Sequence, residues 1–189
     1  MVNFSSSTSS HWHFDFDGTL FFTLDALCTA YRLSVTNYSG IWTPAAETSL
    51  RLGNGHLDFL PLCIWNEKSP DFNDVRNLKN SIYLDNIGNI KPNTELLEFV
   101  TTLPKKSSIV TSANRIAIVK ILEHFNYDSL FASIVASEDV KENKPSPEPY
   151  LKSIQMNPAT LHIAVEDSEI GVRSALKAGM TVFQFRTNN

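Results

Sequence analysis

Apolar and polar residues alternate in blocks along the second half of the chain, and the length of each block predicts its element. Short apolar runs bounded by polar residues predict buried β-strands. With one further run near the front of the chain, five strands are predicted, over residues 11–16, 108–111, 133–137, 161–165 and 181–185. Helical spacing and helix-start signals predict helices between them, over 93–103, over 116–125, from Ser146 onward, and after Ser168 as far as Lys177.

Three helix ends carry specific signals. Asn93 is a predicted N-cap, Ser146 is a hydroxyl N-cap followed by Pro147 in the first turn, and Gly179 is a predicted helix stop. Strands that alternate with helices are typical of a parallel sheet that is covered on both faces. The pattern therefore predicts an α/β fold, with a Rossmann-like three-layer core around a parallel five-stranded sheet.

The interval 24–86 has a different pattern, because it offers helical stretches and no convincing strand. Helices are predicted there over 24–39, 45–52, 56–66 and 71–83. We therefore expect a helical insert that leaves the sheet after the first strand and rejoins it before the second. The predicted organisation is a disordered serine-rich tail over 1–10, a core over 11–23 and 87–189, and a helical insert over 24–86.

Composition narrows the class of protein. A chain of 189 residues with 42% hydrophobic and 19% charged residues is a globular domain, alone or with a small insert. The net charge of −4 and the lack of a long basic run argue against a nucleic-acid partner. No signal-peptide pattern and no apolar run of membrane length is present. Cys28 and Cys63 are predicted to be buried free thiols, which fits a reducing, cytoplasmic setting.

Polar side chains follow four of the predicted strands, at the point where each strand ends or just beyond. They are Asp15 and Asp17, Thr111 and Ser112, Lys144, and Glu166 and Asp167. Ligands of open α/β sheets bind outside the carboxyl ends of the strands. We therefore expect four carboxylates, a hydroxyl and an ammonium to converge at one edge of the sheet.

This set of groups suits phosphoryl transfer. Crowded carboxylates repel one another and need a cation, and all-oxygen ligands favour Mg²⁺. The cation masks the repulsion between an anionic nucleophile and an anionic phosphate, so that a carboxylate such as Asp15 can form an aspartyl-phosphate. A lysine, a hydroxyl and backbone N–H groups can stabilise the charge on the equatorial oxygens.

Over residues 11–185 the chain resembles phosphatases of the haloacid dehalogenase superfamily that carry a helical (C1-type) cap after the first strand, such as phosphoglycolate phosphatases and β-phosphoglucomutases. Four motifs match in order: Asp15-x-Asp17-Gly18-Thr19-Leu20, Thr111, Lys144-Pro145-x-Pro147, and Glu166-Asp167-Ser168 with Gly171 and Ala178-Gly179-Met180 downstream. The chain departs from the family at Asn143, where glycine is usual before the lysine.

The resemblance implies a role for each matched residue. Asp15 is the implied nucleophile and a metal ligand, and Asp17 is the implied general acid and base, with its backbone carbonyl on Mg²⁺. Thr111 and Lys144 are implied to hold the phosphoryl oxygens, with the N–H groups of Ser112 and Ala113. Asp167 is an implied direct metal ligand, and Glu166 is implied to belong to the metal site as well, either as a ligand or directly behind one. Aspartate at position 17 favours phosphate esters over the substrates of dehalogenases and phosphonatases.

Three functions stay open at this stage. The first is a phosphatase that acts on a small phosphorylated metabolite, as a monomer or weak dimer with no membrane or nucleic-acid partner. The second is a sugar phosphomutase of the β-phosphoglucomutase type, and the third is a non-catalytic binding protein on the same fold. Arg51 and Asn54 lie in a segment that resembles the substrate-facing cap loop of phosphoglycolate phosphatases, although its glycines are equally typical of a helix–helix turn.

Single motifs also have simpler interpretations. Asp15 and Asp17 alone could be turn residues that end a strand. Glu166 and Asp167 alone could stabilise the N-terminus of the following helix through its dipole. Their predicted coincidence at one sheet edge disfavours these interpretations. His11 and His13 alternate with Asp15 along the first strand and suggest a metal site. We disfavour that site, because imidazoles upstream of the strand end should lie too deep in the sheet.

Overall fold

A computed structural model describes residues 9–103 and 107–185. These residues contain nine β-strands: β1 Ser10–Phe14, β2 Phe21–Phe22, β3 Gly40–Ile41, β4 Ile64–Trp65, β5 Lys91–Pro92, β6 Ser107–Val110, β7 Phe131–Val135, β8 Leu161–Glu166 and β9 Thr181–Gln184. They also contain eight α-helices: α1 Leu24–Asn37, α2 Pro44–Arg51, α3 His56–Phe59, α4 Phe72–Asp85, α5 Thr94–Thr102, α6 Arg115–His124, α7 Glu148–Met156 and α8 Glu169–Lys177.

The central sheet has five parallel strands in the order β7-β6-β1-β8-β9. The chain builds outward from β1 on one side through β6 and β7, and on the other side through β8 and β9. The strand order therefore switches direction at β1, and the crevice at such a point, outside the carboxyl ends, is where α/β proteins bind ligands. The predicted parallel five-stranded sheet is confirmed, with each strand within two residues of its predicted bounds.

Neighbouring residues of β1 show that helices lie on both faces of the sheet. Trp12 packs against Phe99 of α5, with ring centroids 5.2 Å apart, whereas the imidazole of His13 bonds to the hydroxyl of Ser153 on α7. Successive side chains of a strand point to opposite faces, so α5 and α7 cover opposite sides. On the α7 side, α8 completes a buried cluster whose members are Val110, Val135, Tyr150, Ala164, Ala175 and Met180.

The N-terminal caps of α5, α7 and α8 test where the sequence places the start of each helix. Asn93 caps α5 by accepting from the N–H of Leu96, as predicted. Ser168, which directly precedes a predicted helix, caps α8 by accepting from the N–H of Gly171. Ser146 is not the N-cap of α7, so the predicted start of this helix was wrong by one residue. The first helical bond runs from the N–H of Leu151 to the carbonyl of Pro147, so Pro147 is the N-cap.

By its contacts the chain divides into two compact units, one with residues up to Phe21 and from Pro92 onward, and the other over Phe22–Lys91. Within the second unit, α1 packs against α4, where the hydroxyl of Ser34 donates to the carbonyl of Val75 at 2.6 Å. The core of this unit includes both cysteines, which are free and buried as predicted. Burial raises the pKa of the Cys63 thiol to about 11.

The second unit also corrects one prediction, since residues 56–66 are not one helix. After α3 the chain makes a 3₁₀ turn over Leu60–Leu62 and then enters β4, which pairs antiparallel with β3. Pro61 has no N–H to continue an α-helix. Ile64 and Trp65 belong to residue types that favour strands, and their partner lies more than 20 residues earlier in the chain, beyond the reach of local periodicity.

The predicted tail over 1–10 lies outside the described residues, except for Ser9 and Ser10. There the prediction was wrong, because Ser10 is the first residue of β1 and the carbonyl of Ser9 accepts from the N–H of Thr160 at 2.9 Å. Among the described helices, none combines the length and apolar content that a membrane span requires.

Candidate active site at the carboxyl edge of the sheet

Asp15 follows the last residue of β1 at the switch point of the sheet. Its N–H donates to the carbonyl of Val165 at 3.0 Å, which fixes the backbone of Asp15 against the end of β8. The residue is only 7% exposed. The strand pairing therefore aims a nearly buried carboxylate at the carboxyl edge.

Lys144 brings a cation to this carboxylate. Its ammonium donates to Oδ1 of Asp15 at 2.6 Å, to Oε1 of Glu166 at 2.6 Å and to the carbonyl of Val110 at 2.8 Å. An ammonium has three protons, so these three acceptors use all of them. Burial alone would lower the pKa of Lys144, but the charges of Asp15 and Glu166 outweigh it and raise the pKa. The lysine is therefore held charged.

Glu166 is fully buried, and its carboxylate has a second donor that sequence reasoning missed. The hydroxyl of Tyr150 donates to the same Oε1 at 2.5 Å, and the hydroxyl of Ser168 approaches Oε2 at 3.4 Å. In the sequence, Tyr150 resembles any core aromatic of a helix. The only sequence signal for a role at the site was the position of Tyr150 in the helix that follows Lys144. That position does not show where the hydroxyl points.

Carboxyl pKa values in the cluster are raised. Burial raises the pKa of Glu166 to about 7, with Lys144 opposing the shift and the charge of Asp15 adding to it. Burial and then the charge of Asp15 raise the pKa of Asp167 to about 6. The site also has four carboxyl groups, of Asp15, Asp17, Glu166 and Asp167, beside one lysine, so a further cation would favour their ionised forms.

The loop after β1 brings Asp167 close to the backbone. Gly18 has a φ of +84°, and a Cβ on it would lie 2.0 Å from Oδ2 of Asp167, so only glycine fits. The buried hydroxyl of Thr19 donates to Oδ1 of Asp167 at 3.5 Å. Thr19 belongs to the first of the four motifs, but its contact with Asp167 was not predicted.

Thr111 and Asp17 approach each other across the edge. The hydroxyl of Thr111 donates to Oδ2 of Asp17 at 3.5 Å and accepts from the N–H of Ala113 at 3.0 Å. Ser112 is exposed on the same loop. The structure therefore brings the predicted residues of all four motifs into one part of the first unit.

The donor set fits a hard divalent cation. Asp15, Glu166 and Asp167 each offer a carboxylate oxygen, and these three oxygens lie within 4.8 Å of one another. Among the described residues, this is the one group of three or more acidic, histidine or cysteine side chains that lie this close together. Oxygen-only ligands of net negative charge are those that Mg²⁺ prefers.

The histidines of β1 belong to a separate network. The imidazole of His11 bonds to Ser108, and that of His13 bonds to Ser153 and to His162 at 2.8 and 2.9 Å. Burial, followed by the charges of the neighbouring histidines, lowers the pKa of His13 to about 3. These imidazoles contact serines and one another, and they are not part of the carboxylate group.

Arg51 and Asn54, the predicted specificity residues, lie in the second unit. The guanidinium of Arg51 pairs with Asp25 and Glu47, and the amide of Asn54 donates to the hydroxyl of Ser49. Gly53 has a φ of +85° directly after the end of α2, as a helix-ending turn requires. The turn is therefore present, and a role for Arg51 and Asn54 in specificity stays a prediction.

Replacement of Gly171 by alanine tests how tightly the carboxylates are packed. A Cβ at Gly171 would lie 2.0 Å from Oε2 of the buried Glu166 carboxylate, which Lys144 and Tyr150 hold in place. We expect the free energy of unfolding, measured by urea titration, to fall by about 2–3 kcal/mol, although alanine is the better helix former.

Gly179→Ala is the matched control at the other end of α8. A Cβ there meets no atom within 4 Å, so only its φ of +80° is strained. We expect this variant to lose about 1 kcal/mol. Equal losses in the two variants would contradict the proposed packing against Glu166.

Comparisons with known proteins agree with the fold and the motifs. The family model for haloacid dehalogenase-like hydrolases matches residues 13–185. An uncharacterized protein of Haemophilus influenzae is 37% identical over 95 residues, which are 48% of this chain and 47% of that protein. The chain thus matches less than half the length of that relative.

Two further similarities extend over most of the chain. The phosphorylated carbohydrates phosphatase of Thermotoga maritima is 26% identical over 174 residues, which cover 88% of this chain and 80% of that protein. The crystal structure of CbbY from Rhodobacter sphaeroides in complex with phosphate superposes with a TM-score of 0.80 at 20% identity, over 95% of this chain and 87% of that one. The structural similarity at this identity shows a shared fold.

Proposed function

Because the chain belongs to the haloacid dehalogenase-like hydrolase family, we propose that it is a magnesium-dependent phosphatase that hydrolyses a small phosphomonoester through Asp15. One observation carries the proposal. The nearly buried Asp15 carboxylate lies 2.6 Å from the Lys144 ammonium, and one of its oxygens lies within 4.8 Å of oxygens from Glu166 and Asp167. This arrangement supplies a nucleophile, a phosphate-binding cation and metal ligands at one sheet edge.

The names of two similar proteins support the substrate class. The relative from Thermotoga maritima is named a phosphatase of phosphorylated carbohydrates, and the CbbY structure holds phosphate. For this chain the same chemistry implies a small phosphorylated metabolite as substrate. Arg51 and Asn54 are the residues we propose for selecting its leaving group.

The residues that would hold Mg²⁺ are Asp15 and Asp167 through their side chains and Asp17 through its backbone carbonyl. Bound there, the cation would offset the charge of the phosphate and the carboxylates, so that two anions can approach. Glu166 is placed differently from Asp167, since Lys144 and Tyr150 already occupy its Oε1. We therefore propose that Glu166 holds the lysine through Oε1, which leaves only Oε2 as its possible ligand atom for Mg²⁺.

In the first step a carboxylate oxygen of Asp15 attacks phosphorus. The bond between phosphorus and the ester oxygen breaks, and Asp17 gives its proton to the departing oxygen. In the second step Asp17 takes a proton from water, the water oxygen attacks phosphorus, and the bond to Asp15 breaks. Inorganic phosphate leaves, and both carboxyl groups return to their first state.

Charge on the transferred group is held by Lys144 and Thr111. The ammonium lies against Asp15, and as the Asp15 carboxylate attacks, the proton that it accepts from Lys144 would turn to a phosphoryl oxygen. The Thr111 hydroxyl lies near Asp17, and the N–H of Ser112 follows on the same loop, whereas the N–H of Ala113 already donates to the Thr111 hydroxyl and positions it. Positioned donors of this kind stabilise the charge that develops in the transition state.

A screen of phosphorylated metabolites and one aryl phosphate, with and without Mg²⁺, tests the proposal. We expect phosphate release from part of the panel in Mg²⁺, loss of release to the uncatalysed rate in EDTA, and recovery when Mg²⁺ is restored. Products are also analysed for isomers. Isomer formation without phosphate release would replace the phosphatase by a phosphomutase, and no turnover of any compound would contradict both.

A further inference from the structure

The position of the Lys144 ammonium is set by its acceptors. All three protons are donated, to Asp15, Glu166 and Val110, and the side chain is only 3% exposed. The Val110 acceptor is a backbone carbonyl that β6 fixes, whereas Asp15 and Glu166 accept through side-chain carboxylates. Glu166 has the longer of these two side chains, so more torsions must be fixed before its oxygen faces the ammonium.

Glu166 in turn depends on a neighbour for its orientation. Terminal rotation of a glutamate carboxylate is broad, so hydrogen bonds decide which oxygen faces the lysine. The hydroxyl of Tyr150 donates to the same Oε1 that accepts from Lys144, at 2.5 Å. Tyr150 has no exposed surface, and its ring centroid lies 5.2 Å from the ammonium. A buried hydroxyl needs a partner, and Glu166 provides it.

We propose that Tyr150 is a positioning residue, whose hydroxyl fixes the Glu166 carboxylate and, through it, the Lys144 ammonium that holds the phosphoryl oxygens. The inference rests on the proposed phosphatase function, and it adds a residue outside the four motifs. Tyr150 makes no described hydrogen bond to Asp15 or Asp17: its hydroxyl acts through Glu166, while its ring lies directly beside Lys144.

The position of Tyr150 predicts which property of the enzyme it controls. Its hydroxyl bonds the glutamate oxygen that faces the lysine, whereas Asp167 is held separately by Thr19. Loss of the hydroxyl should therefore weaken the hold on phosphate more than the hold on Mg²⁺. A residue that only supported the fold would affect both in parallel with stability.

The test compares Tyr150→Phe, Tyr150→Leu and a control, Ser153→Ala. Phenylalanine removes the hydroxyl and keeps the ring beside Lys144, whereas leucine removes both. Ser153 is fully buried on the same helix, but its hydroxyl bonds to His13 and not to the carboxylates. The control therefore removes a buried hydroxyl of α7 that does not bond Glu166.

We expect Tyr150→Phe to lower kcat/KM for the aryl phosphate by about 10- to 100-fold. This range is typical of residues that hydrogen-bond to a ligand-binding side chain and orient it. The inhibition constant of inorganic phosphate should rise by about tenfold, while the Mg²⁺ concentration for half activation changes less than about twofold. Tyr150→Leu should lose at least as much as Tyr150→Phe. Ser153→Ala should keep the wild-type phosphate inhibition constant.

A second comparison separates positioning from general damage. If Tyr150 acts through Glu166, Tyr150→Phe should cost much less in a Glu166→Gln background than in the wild type. Equal costs in both backgrounds, or a phosphate inhibition constant in Tyr150→Phe equal to that of Ser153→Ala, would overturn the inference. A wild-type protein that neither hydrolyses the aryl phosphate nor binds inorganic phosphate in Mg²⁺ would overturn the proposed function itself.

Discussion

Asp15→Asn is expected to lower phosphatase turnover by at least about a thousandfold, because an amide cannot serve as the nucleophile. Asparagine is close in shape to aspartate, and its amide oxygen can still accept from the Lys144 ammonium. The loss should therefore come from chemistry rather than from unfolding. Turnover of an aryl phosphate in Mg²⁺ measures the effect, and urea titration checks that the fold is kept.

Beryllium fluoride gives a readout that does not need turnover. As a mimic of the aspartyl-phosphate it should raise the melting temperature of the wild type in Mg²⁺ and leave Asp15→Asn unchanged. Asp128→Asn is the matched control, since it neutralises an exposed carboxylate of the same unit. Near-normal turnover of Asp15→Asn in Mg²⁺ would show that another group is the nucleophile.

Lys144→Met is expected to destabilise the metal-free protein by about 3–5 kcal/mol. The ammonium lies between Asp15 and Glu166, with side chains only 10% and 0% exposed. Removal of one partner leaves buried charge without compensation, which costs far more than loss of an exposed pair. The measurement is urea unfolding in EDTA, and Mg²⁺ should recover part of the loss because it supplies another cation.

Lys152→Met is the control for loss of a lysine in the same unit. Its side chain is 40% exposed and lies 3.8 Å from Asp139, so the expected change is below about 1 kcal/mol. Adding Glu166→Gln to Lys144→Met should restore part of the stability, since one uncompensated carboxylate is removed. A Lys144→Met variant as stable as Lys152→Met in EDTA would contradict the buried pairing.

The loss in Lys144→Met should also depend on pH. In the folded, metal-free protein the pKa of Glu166 is about 7 and that of Asp167 about 6, against ordinary values of 4.5 and 3.8. The folded state therefore binds more protons, and its stability rises as pH falls through this window. Without the lysine these pKa values rise further. The cost of the substitution should be largest near pH 8 and smaller near pH 5.

The sheet and the convergence of motifs were predictable because they depend on local signals. Apolar runs such as Ile163-Ala164-Val165 in β8 favour burial, and parallel strands place their carboxyl ends at one edge. The structure brings Asp15, Lys144, Glu166 and Asp167 together there. Their catalytic roles stay predictions, since geometry alone assigns no reaction step.

Features that depend on contacts distant in the sequence could not be predicted. The pairing of β3 with β4 joins segments on either side of two helices, and no periodicity within 56–66 shows it. Tyr150 has the spacing of an ordinary core residue, and only the placement of β8 beside α7 shows that its hydroxyl meets Glu166. Gly171 belongs to the fourth motif, but the reason for glycine there is its close contact with the Glu166 carboxylate, which the sequence does not show.

The central position of β1 has a consequence for how the chain acquires its fold. Register pairs β1 with β8 along its whole length, and the hydroxyl of Thr160 donates to the carbonyl of Ser9, 151 residues earlier. Contacts this distant in sequence slow folding, because a long loop must close before they form. During synthesis, β1 therefore leaves the ribosome long before β8, and until β8 is made β6 is the one sheet neighbour of β1 that is available. We expect late, nearly simultaneous docking of β8 and completion of the carboxylate cluster.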